Sequence, residues 1–346
     1  MKDHAYRPFF LTLFVVVLLT IAHWLPTLHL GDTQLRRIDL LSDLGNDSTK
    51  GDFHDVIPKP KEPERLLAKN KAGQTVAFKE VWPKGVERIV DFSAGSANGM
   101  DHFYAMLDSV KRKQLKGRPL RIAYFGDSFI EADILTADLR EMLQQKYGGC
   151  GVGFVTITSM TSGFRPTVRH SFSGWQSHSV MDSVFFDRSK LGVSGHYFIP
   201  NTGAYVELRG QKNYASRLDT CQRASIFFYN RGTTTLSVRV NRGEATTETF
   251  EPIDDLQEMT VEGNIGSVRW TVESADSTLF YGLAMDGTSG IVLDNFSLRG
   301  SSGLSLRSVP VWMMREFNEQ RPYDLIILQY LSLIHISEPT RHLRIS

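Results

Sequence analysis

The sequence predicts an α/β domain whose sheet is interrupted by an inserted antiparallel β-sandwich. Three observations carry that expectation. The apolar runs "LRIAYF" (residues 120–125) and "YDLIILQY" (323–330) are short and bounded by breakers, as buried strands of a parallel sheet are. The first is followed by the helix-period stretch "EADILTADLREMLQQKY", which completes the strand, turn and helix of a βαβ unit. Between about residues 155 and 290 the texture changes to short alternating segments, such as "TLSVRVN" and "SVRWTVE", separated by clusters of Gly, Asn, Asp and Thr.

The elements follow in order. Lys2 and Arg7 precede "FFLTLFVVVLLTIAHW" (9–24), the pattern of an export signal and somewhat short of the ~20 residues of a spanning helix. His23, Trp24 and Leu25 stand where a small-x-small cleavage site is expected, which favours an uncleaved membrane anchor over a removed peptide. Residues 1–26 are therefore expected to export the protein to the periplasm or cell envelope. "VIPKPKEPERLLAKNKAG", with three prolines and many charges, makes 27–90 a linker. A helix is expected from Asp101, its N-cap, with Phe103, Met106, Leu107 and Val110 on one face and Lys116, Gly117 and Pro119 stopping it. After the 120–125 strand, Ile134, Leu135, Leu139, Met142 and Leu143 trace the apolar face of a second helix ended by Gly148 and Gly149. In the insertion, Leu236, Val238 and Val240 share one strand face, and Val268, Trp270 and Val272 another. "GIVLDNFSL" then reads as a strand, and "PVWMMREFNEQ" as a helix opened by Pro310.

The chain's 346 residues leave room for two domains. Lys and Arg number 39 against 38 Asp and Glu, which gives no electrostatic reason to expect a nucleic-acid partner. Two cysteines, Cys150 and Cys221, are too few for a disulfide framework or a four-ligand zinc site; they are expected as ordinary thiols, with a mutual disulfide as the alternative in an oxidising compartment. No HExxH or close His/Asp cluster suggests a metal, and no cofactor is expected.

Ser128, in "YFGDSFIE", follows a buried strand at its carboxyl end, where α/β sheets bind ligands. If the next helix begins there, its N–H groups face the same space and stabilise developing negative charge. Gly126 allows the tight turn, and Asp127 can hold it by accepting backbone N–H bonds. The residues alone leave two readings open, a nucleophile and a helix cap.

"YFGDSFIEAD" resembles block I of the SGNH, or GDSL-type, hydrolases, whose serine is the nucleophile. "DNFSLRGSSG" resembles their second block, with Asn295 and Gly300 at the family's Asn-x-x-x-x-Gly spacing. The resemblance is nearest to exported polysaccharide and peptidoglycan O-acetylesterases that carry a carbohydrate-binding-like sandwich between these blocks, and "GGCGVGF" (148–154) is similar to the segment after their first helix. Phe129 stands where several of them carry His. The resemblance implies a flavodoxin-like three-layer domain with a jelly-roll insertion, Ser128 as nucleophile and oxyanion N–H donor, Gly300 as a second N–H donor, and Asp127 as turn support. It also implies a block III Asn and a catalytic Asp-x-x-His, and these do not appear: Leu331, Ser332 and Leu333 follow Tyr330, and neither His335 nor His342 has an Asp three residues before it. "SLIHISEPTR" instead resembles translated adapter sequence, so 331–346 is expected to be a non-native tail and this fragment to be inactive.

The expected layout is thus 91–155 for the first part of the hydrolase domain, 156–287 for the sandwich and 288–330 for the second part. The expected function is removal of O-acetyl groups from an extracytoplasmic glycan; Trp175, Tyr197, Tyr205, Trp270 and Tyr281 are the candidates for sugar-stacking faces, with most of them expected in the core instead. The alternatives are acetyl transfer at the same serine and a non-catalytic glycan-binding envelope protein.

Overall fold

A computed structural model describes residues 90–93, 98–182 and 187–330, with residues 13–14 and the backbone of four short strands before them. The rest of the expected export segment and the tail after Tyr330 lie outside the described residues. The chain divides into two compact units, Met1–Gly99 and Met100–Ser346. In the first, β1 (His29–Leu30) pairs antiparallel with β2 (Thr33–Gln34), and β3 (Leu67–Lys69) with β4 (Thr75–Ala77). These hairpins lie in the stretch expected as linker; strands of two or three residues are too short for an alternating pattern to announce them.

The second unit is sheet-rich with few helices. Its elements are α1 (Asp101–Lys111), β5 (Leu120–Gly126), α2 (Thr136–Tyr147), β6 (Gly153–Val155), β7 (Val168–Ser179), β8 (His196–Gly210), β9 (Cys221–Asn230), β10 (Thr234–Val240), β11 (Ala245–Phe250), β12 (Gln257–Ile265), β13 (Ser267–Ala275), β14 (Thr278–Asp286), β15 (Ile291–Ser297), α3 (Val311–Gln320) and β16 (Leu325–Gln329). Among the described residues no helix is long and apolar enough to cross a membrane.

β15, β5 and β16 form a parallel sheet with β5 in the centre. The registers Ser297↔Gly126 and Gln329↔Gly126 bring all three carboxyl ends to one level. β5 is buried along its whole length, which explains its unbroken apolar run. Its Leu120, Ile122 and Tyr124 pack with Val110 of α1 and with Leu139 and Leu143 of α2. Its Ala123 and Phe125 pack with Met313 and Phe317 of α3. Helices therefore lie on both faces.

Two helix details depart from expectation. Asp101 is the first residue inside α1, and Met100 holds the cap position without a side-chain bond; an acid in the first turn still complements the helix dipole. Ile134 and Leu135, just before α2, and Met142 within it are exposed, while Thr136, Ala137, Arg140 and Gln144 are buried. Periodicity missed this face because its long polar side chains are consumed by backbone: Arg140 donates to Leu293 O at 3.1 Å, and Gln144 Nε2 to Gly151 O at 3.1 Å.

The other nine strands form one antiparallel sheet, ordered β11-β10-β13-β8-β14-β9-β12, with β6 on β14 and β7 on β8. The expected sandwich is this single sheet turned over on itself. β8 makes the turn: Phe198 pairs with β14, whereas Tyr205–Arg209 pair with β13. The change of partner falls near a bulge between Ser173 and Trp175 of β7, where Gly174 has φ 83° and meets Ala204. Val206, Val238 and Trp270 from one limb then share a core with Ile226, Phe228 and Leu283 from the other. β6, assigned in the expected layout to the α/β part, hydrogen-bonds to β14 and so belongs to this sheet. The glycine run after α2 is a close crossing: a Cβ on Gly149, at φ 107°, would sit 2.3 Å from Ile291 O.

The outer face of β9 and β14 packs against the α/β part. Phe154 of β6 meets Phe317 edge-on at 5.6 Å and Phe296 at 5.0 Å. Beside them, Arg321, at the end of α3, bridges Asp286 of β14 (2.5 Å) and Asp294 of β15 (2.8 Å), all three buried. Both cysteines are free thiols.

β16 pairs only with β5 among the described residues, and Ile326 and Leu328 are exposed on it. An apolar edge strand is a template for self-pairing. Ile326→Lys is expected to reduce concentration-dependent association, seen by light scattering, at unchanged thermal midpoint; equal association in both forms would remove β16 from that role.

Candidate active site

Gly126 ends β5 and the chain turns at once. Asp127, buried, accepts the Phe129 N–H at Oδ1 (2.9 Å), and Asp127 O accepts the Ile130 N–H at 3.4 Å. Ser128, half-buried, sits at the crest of this turn. It caps no helix. The next 3-10 turn spans Glu131–Asp133 with Ile130 at its cap position, and α2 begins only at Thr136. The expected helix N-terminus behind Ser128 is displaced by eight residues, because Ala132 and Asp133 take left-handed backbone (φ 54° and 61°), which interrupts helical continuation.

That strained segment is held by a buried cluster that sequence reasoning missed. Asp133 is fully buried; it pairs with Arg140 (3.3 Å) and Arg165 (2.8 Å) and accepts bonds from the hydroxyls of Thr167 and Thr136. Asn295 of β15 donates through Nδ2 to Ile130 O (2.7 Å), Asp133 Oδ1 (2.8 Å) and Thr136 Oγ1 (2.9 Å). Arg165 and Thr167 come from the insertion's approach, so one carboxylate gathers α2, β15 and the insertion beneath the serine turn. Only the spacing of Asn295 in the sequence pointed here; its side chain supports the turn from below.

Burial alone would raise the Asp133 carboxyl, but Arg140 and Arg165 beside it hold it well below the usual carboxylate range. The unfolded carboxyl, near 3.8, takes up its proton first on acidification. Its contribution to stability is therefore complete above about pH 5 and is lost as pH falls below about 4. Asp133→Asn is expected to cost about 2–3 kcal/mol at neutral pH and to flatten part of the acid-induced loss, both read from urea unfolding between pH 3 and 7. An unchanged midpoint at neutral pH would show the cluster to be incidental.

Beside Ser128 lies a cleft of about 430 Å³, also lined by Glu131, Ile134, Phe164, Tyr214 and Arg299. Arg299 grips Glu131 through two nitrogens, at 2.7 and 2.9 Å. The Tyr214 hydroxyl, from the insertion, donates to Asp138 of α2, and burial followed by that carboxylate pushes its own ionisation up to about 12. Gly300 lies in the turn after β15, exposed, at φ 76°. The register and the Leu298 N–H bond to Gly126 O (2.9 Å) bring this turn beside the serine turn, yet Arg299, not Gly300, lines the cleft. Among the described residues no histidine lines it either, and His335 and His342 lie outside them. Among the described residues no cluster of His, Cys, Asp and Glu could hold a metal ion.

The fold has a solved counterpart. The chain is similar to the structure of a peptidoglycan O-acetylesterase in action, with a TM-score of 0.53 and 21% identity over 66% of this chain and 60% of that one. It therefore spans less than two thirds of that protein's length. Slighter likenesses are to a family two carbohydrate esterase from Cellvibrio japonicus (TM-score 0.26, 12% identity, 42% of this chain and 36% of that one) and to a family 29 carbohydrate-binding module (TM-score 0.24, 13% identity, 39% and 93%). No family model and no curated protein matches the sequence. What is shared with the O-acetylesterase is the fold.

Proposed function

We propose that the protein is a serine esterase of the SGNH class that removes O-acetyl groups from an extracytoplasmic polysaccharide, peptidoglycan above all. The observation that carries this reading is the position of Ser128. It stands at the carboxyl end of the central parallel strand, opens on a cleft and caps no helix. The order β15-β5-β16, with helices on both faces, fits the flavodoxin-like layering of that class, and the fold shared with a peptidoglycan O-acetylesterase supports the same direction.

In this reading Ser128 Oγ attacks the acetyl carbonyl and gives its proton to a histidine oriented by an aspartate. The tetrahedral oxyanion is held by the N–H groups of Ser128 and Gly300, with an asparagine amide as third donor. Asp127 keeps the turn in shape through the Phe129 N–H. Collapse expels the sugar hydroxyl, and water then releases acetate and restores the serine. Histidine, aspartate and asparagine are assigned to coding sequence downstream of Tyr330, and residues 1–26 to export or membrane anchoring at the cell envelope.

The test joins the gene's own downstream sequence to Tyr330 and incubates that protein with O-acetylated peptidoglycan. Acetate release that disappears in Ser128→Ala is expected. A protein that leaves the acetate bound, or whose Ser128→Ala form is equally active, overturns the reading.

A further inference from the structure

The limb β7-β8-β13-β10-β11 of the nine-stranded sheet turns one face to the core through Val206, Val238 and Trp270. Side chains alternate along a strand, so the residues next to these in sequence stand on the outer face. Four of the outward residues are arginines, one on each of four adjacent strands: Arg169 (β7), Arg209 (β8), Arg269 (β13) and Arg239 (β10). The register sets them directly opposite one another in two pairs, Arg169↔Arg209 and Arg239↔Arg269. With neighbouring strands ~4.8 Å apart, the band spans roughly 15 Å.

Like charges directly opposite across two strands destabilise a sheet. The acids on this face offset them only in part. Glu207 is already shared by Arg209 at 3.1 Å and Arg269 at 3.5 Å. Glu273 accepts the Ser237 hydroxyl at 2.5 Å. Arg169 and Arg239, both exposed, take part in no ion pair among the described residues. Four arginines against two glutamates leave the face with an excess of two positive charges, in a chain whose whole net charge is +1.

The surroundings select what such a face can hold. Ser171, Ser173, Ala245 and Thr247 beside the arginines are short, so the guanidinium groups stand above a low floor instead of lining a groove. Tyr205 is the aromatic residue between them, and the Arg269 guanidinium already stacks on its ring at 3.7 Å, which takes the platform that a nucleic-acid base needs.

We propose that this face docks on an anionic phospholipid bilayer, with Arg169, Arg209, Arg239 and Arg269 engaging headgroup phosphates. A guanidinium meets phosphate oxygens through two parallel N–H bonds, and each cation held near an anionic leaflet adds to the attachment. A bilayer presents many phosphates side by side, which suits a band of separated charges better than one small anion does. The attachment needs no spanning segment and is independent of chemistry at Ser128.

The test is sedimentation of the whole chain with phosphatidylcholine vesicles and with the same vesicles carrying phosphatidylglycerol; the neutral vesicles register whatever the apolar run 9–24 contributes. Stronger binding to the anionic vesicles is expected, with the increment vanishing between ~0.1 and ~1 M NaCl. The double variant Arg169→Ser/Arg239→Ser leaves both Glu207 pairs in place and is expected to cut the increment by about tenfold or more. Its thermal midpoint is expected to hold or rise, because both like-charge pairs are relieved. Arg169→Lys/Arg239→Lys keeps the charges and is expected to keep the increment. The proposal is overturned if the two vesicles bind the chain equally, if the serine variant binds as wild type does or loses stability, or if a duplex oligonucleotide binds where anionic vesicles do not.

Discussion

Replacing Arg321 with Met is expected to remove about 3–5 kcal/mol of folding stability, a large share of the ~5–15 kcal/mol that a whole domain has. Arg321 is 2% exposed and is shared between Asp286 and Asp294, at 1% and 0%. Burial would discharge the guanidinium, but the two carboxylates raise its ionisation well above the ordinary value. Asp294 has other partners, the Tyr323 hydroxyl at 2.6 Å and the Phe154 N–H at 2.8 Å. Among the described residues Asp286 would keep only Arg121 as an ionic partner, at 3.6 Å. Met fills much of the same volume, so the loss measures uncompensated charge more than a cavity. Guanidinium denaturation of both forms at pH 7 checks the expectation, and a loss under about 1 kcal/mol would show that Arg121 takes over.

Ser128→Ala is expected to lower acetate release by at least ~10³-fold in the protein carried through its downstream sequence, as loss of an activated nucleophile does. The same substitution separates the two roles the sequence left open. A helix cap lost to Ala costs about 1 kcal/mol. Ser128 caps nothing, and its hydroxyl has no hydrogen bond among the described residues, so the thermal midpoint should not move. Loss of activity with loss of stability would point to a structural serine instead.

The elements driven by apolar pattern were legible in the sequence. β5 is the buried run expected, and the alternation in β10 and β13 places Val238 and Trp270 in one core; β16 is the parallel strand expected but not a buried one, since Ile326 and Leu328 are exposed on it. The arrangements that polar groups dictate were not. Arg140 and Gln144 face inward on α2 against every hydrophobicity rule because β15 and Gly151 offer carbonyls there. Ala132 and Asp133 break the helix with a left-handed conformation that Asp adopts now and then and Ala does not signal at all. For the site, motif spacing pointed to Ser128, which lines the cleft, and to Asp127 and Gly300, which lie in turns beside it and not in its lining. It gave no sign of Arg299 in the cleft, and of the Asp133 cluster it pointed to Asn295 alone, since most of those partners lie 32 and more residues away in the chain.

The shared guanidinium also bears on how such a protein is inherited. Asp286 closes the nine-stranded sheet and Asp294 lies in the parallel one, only a few residues later. An accessory module joined by a loop can be exchanged or lost without harm to its host. Here deletion of the module would leave Arg321 and the aromatic face of Phe296 and Phe317 without their complements. The two parts are therefore expected to be retained or lost together and to unfold in one transition.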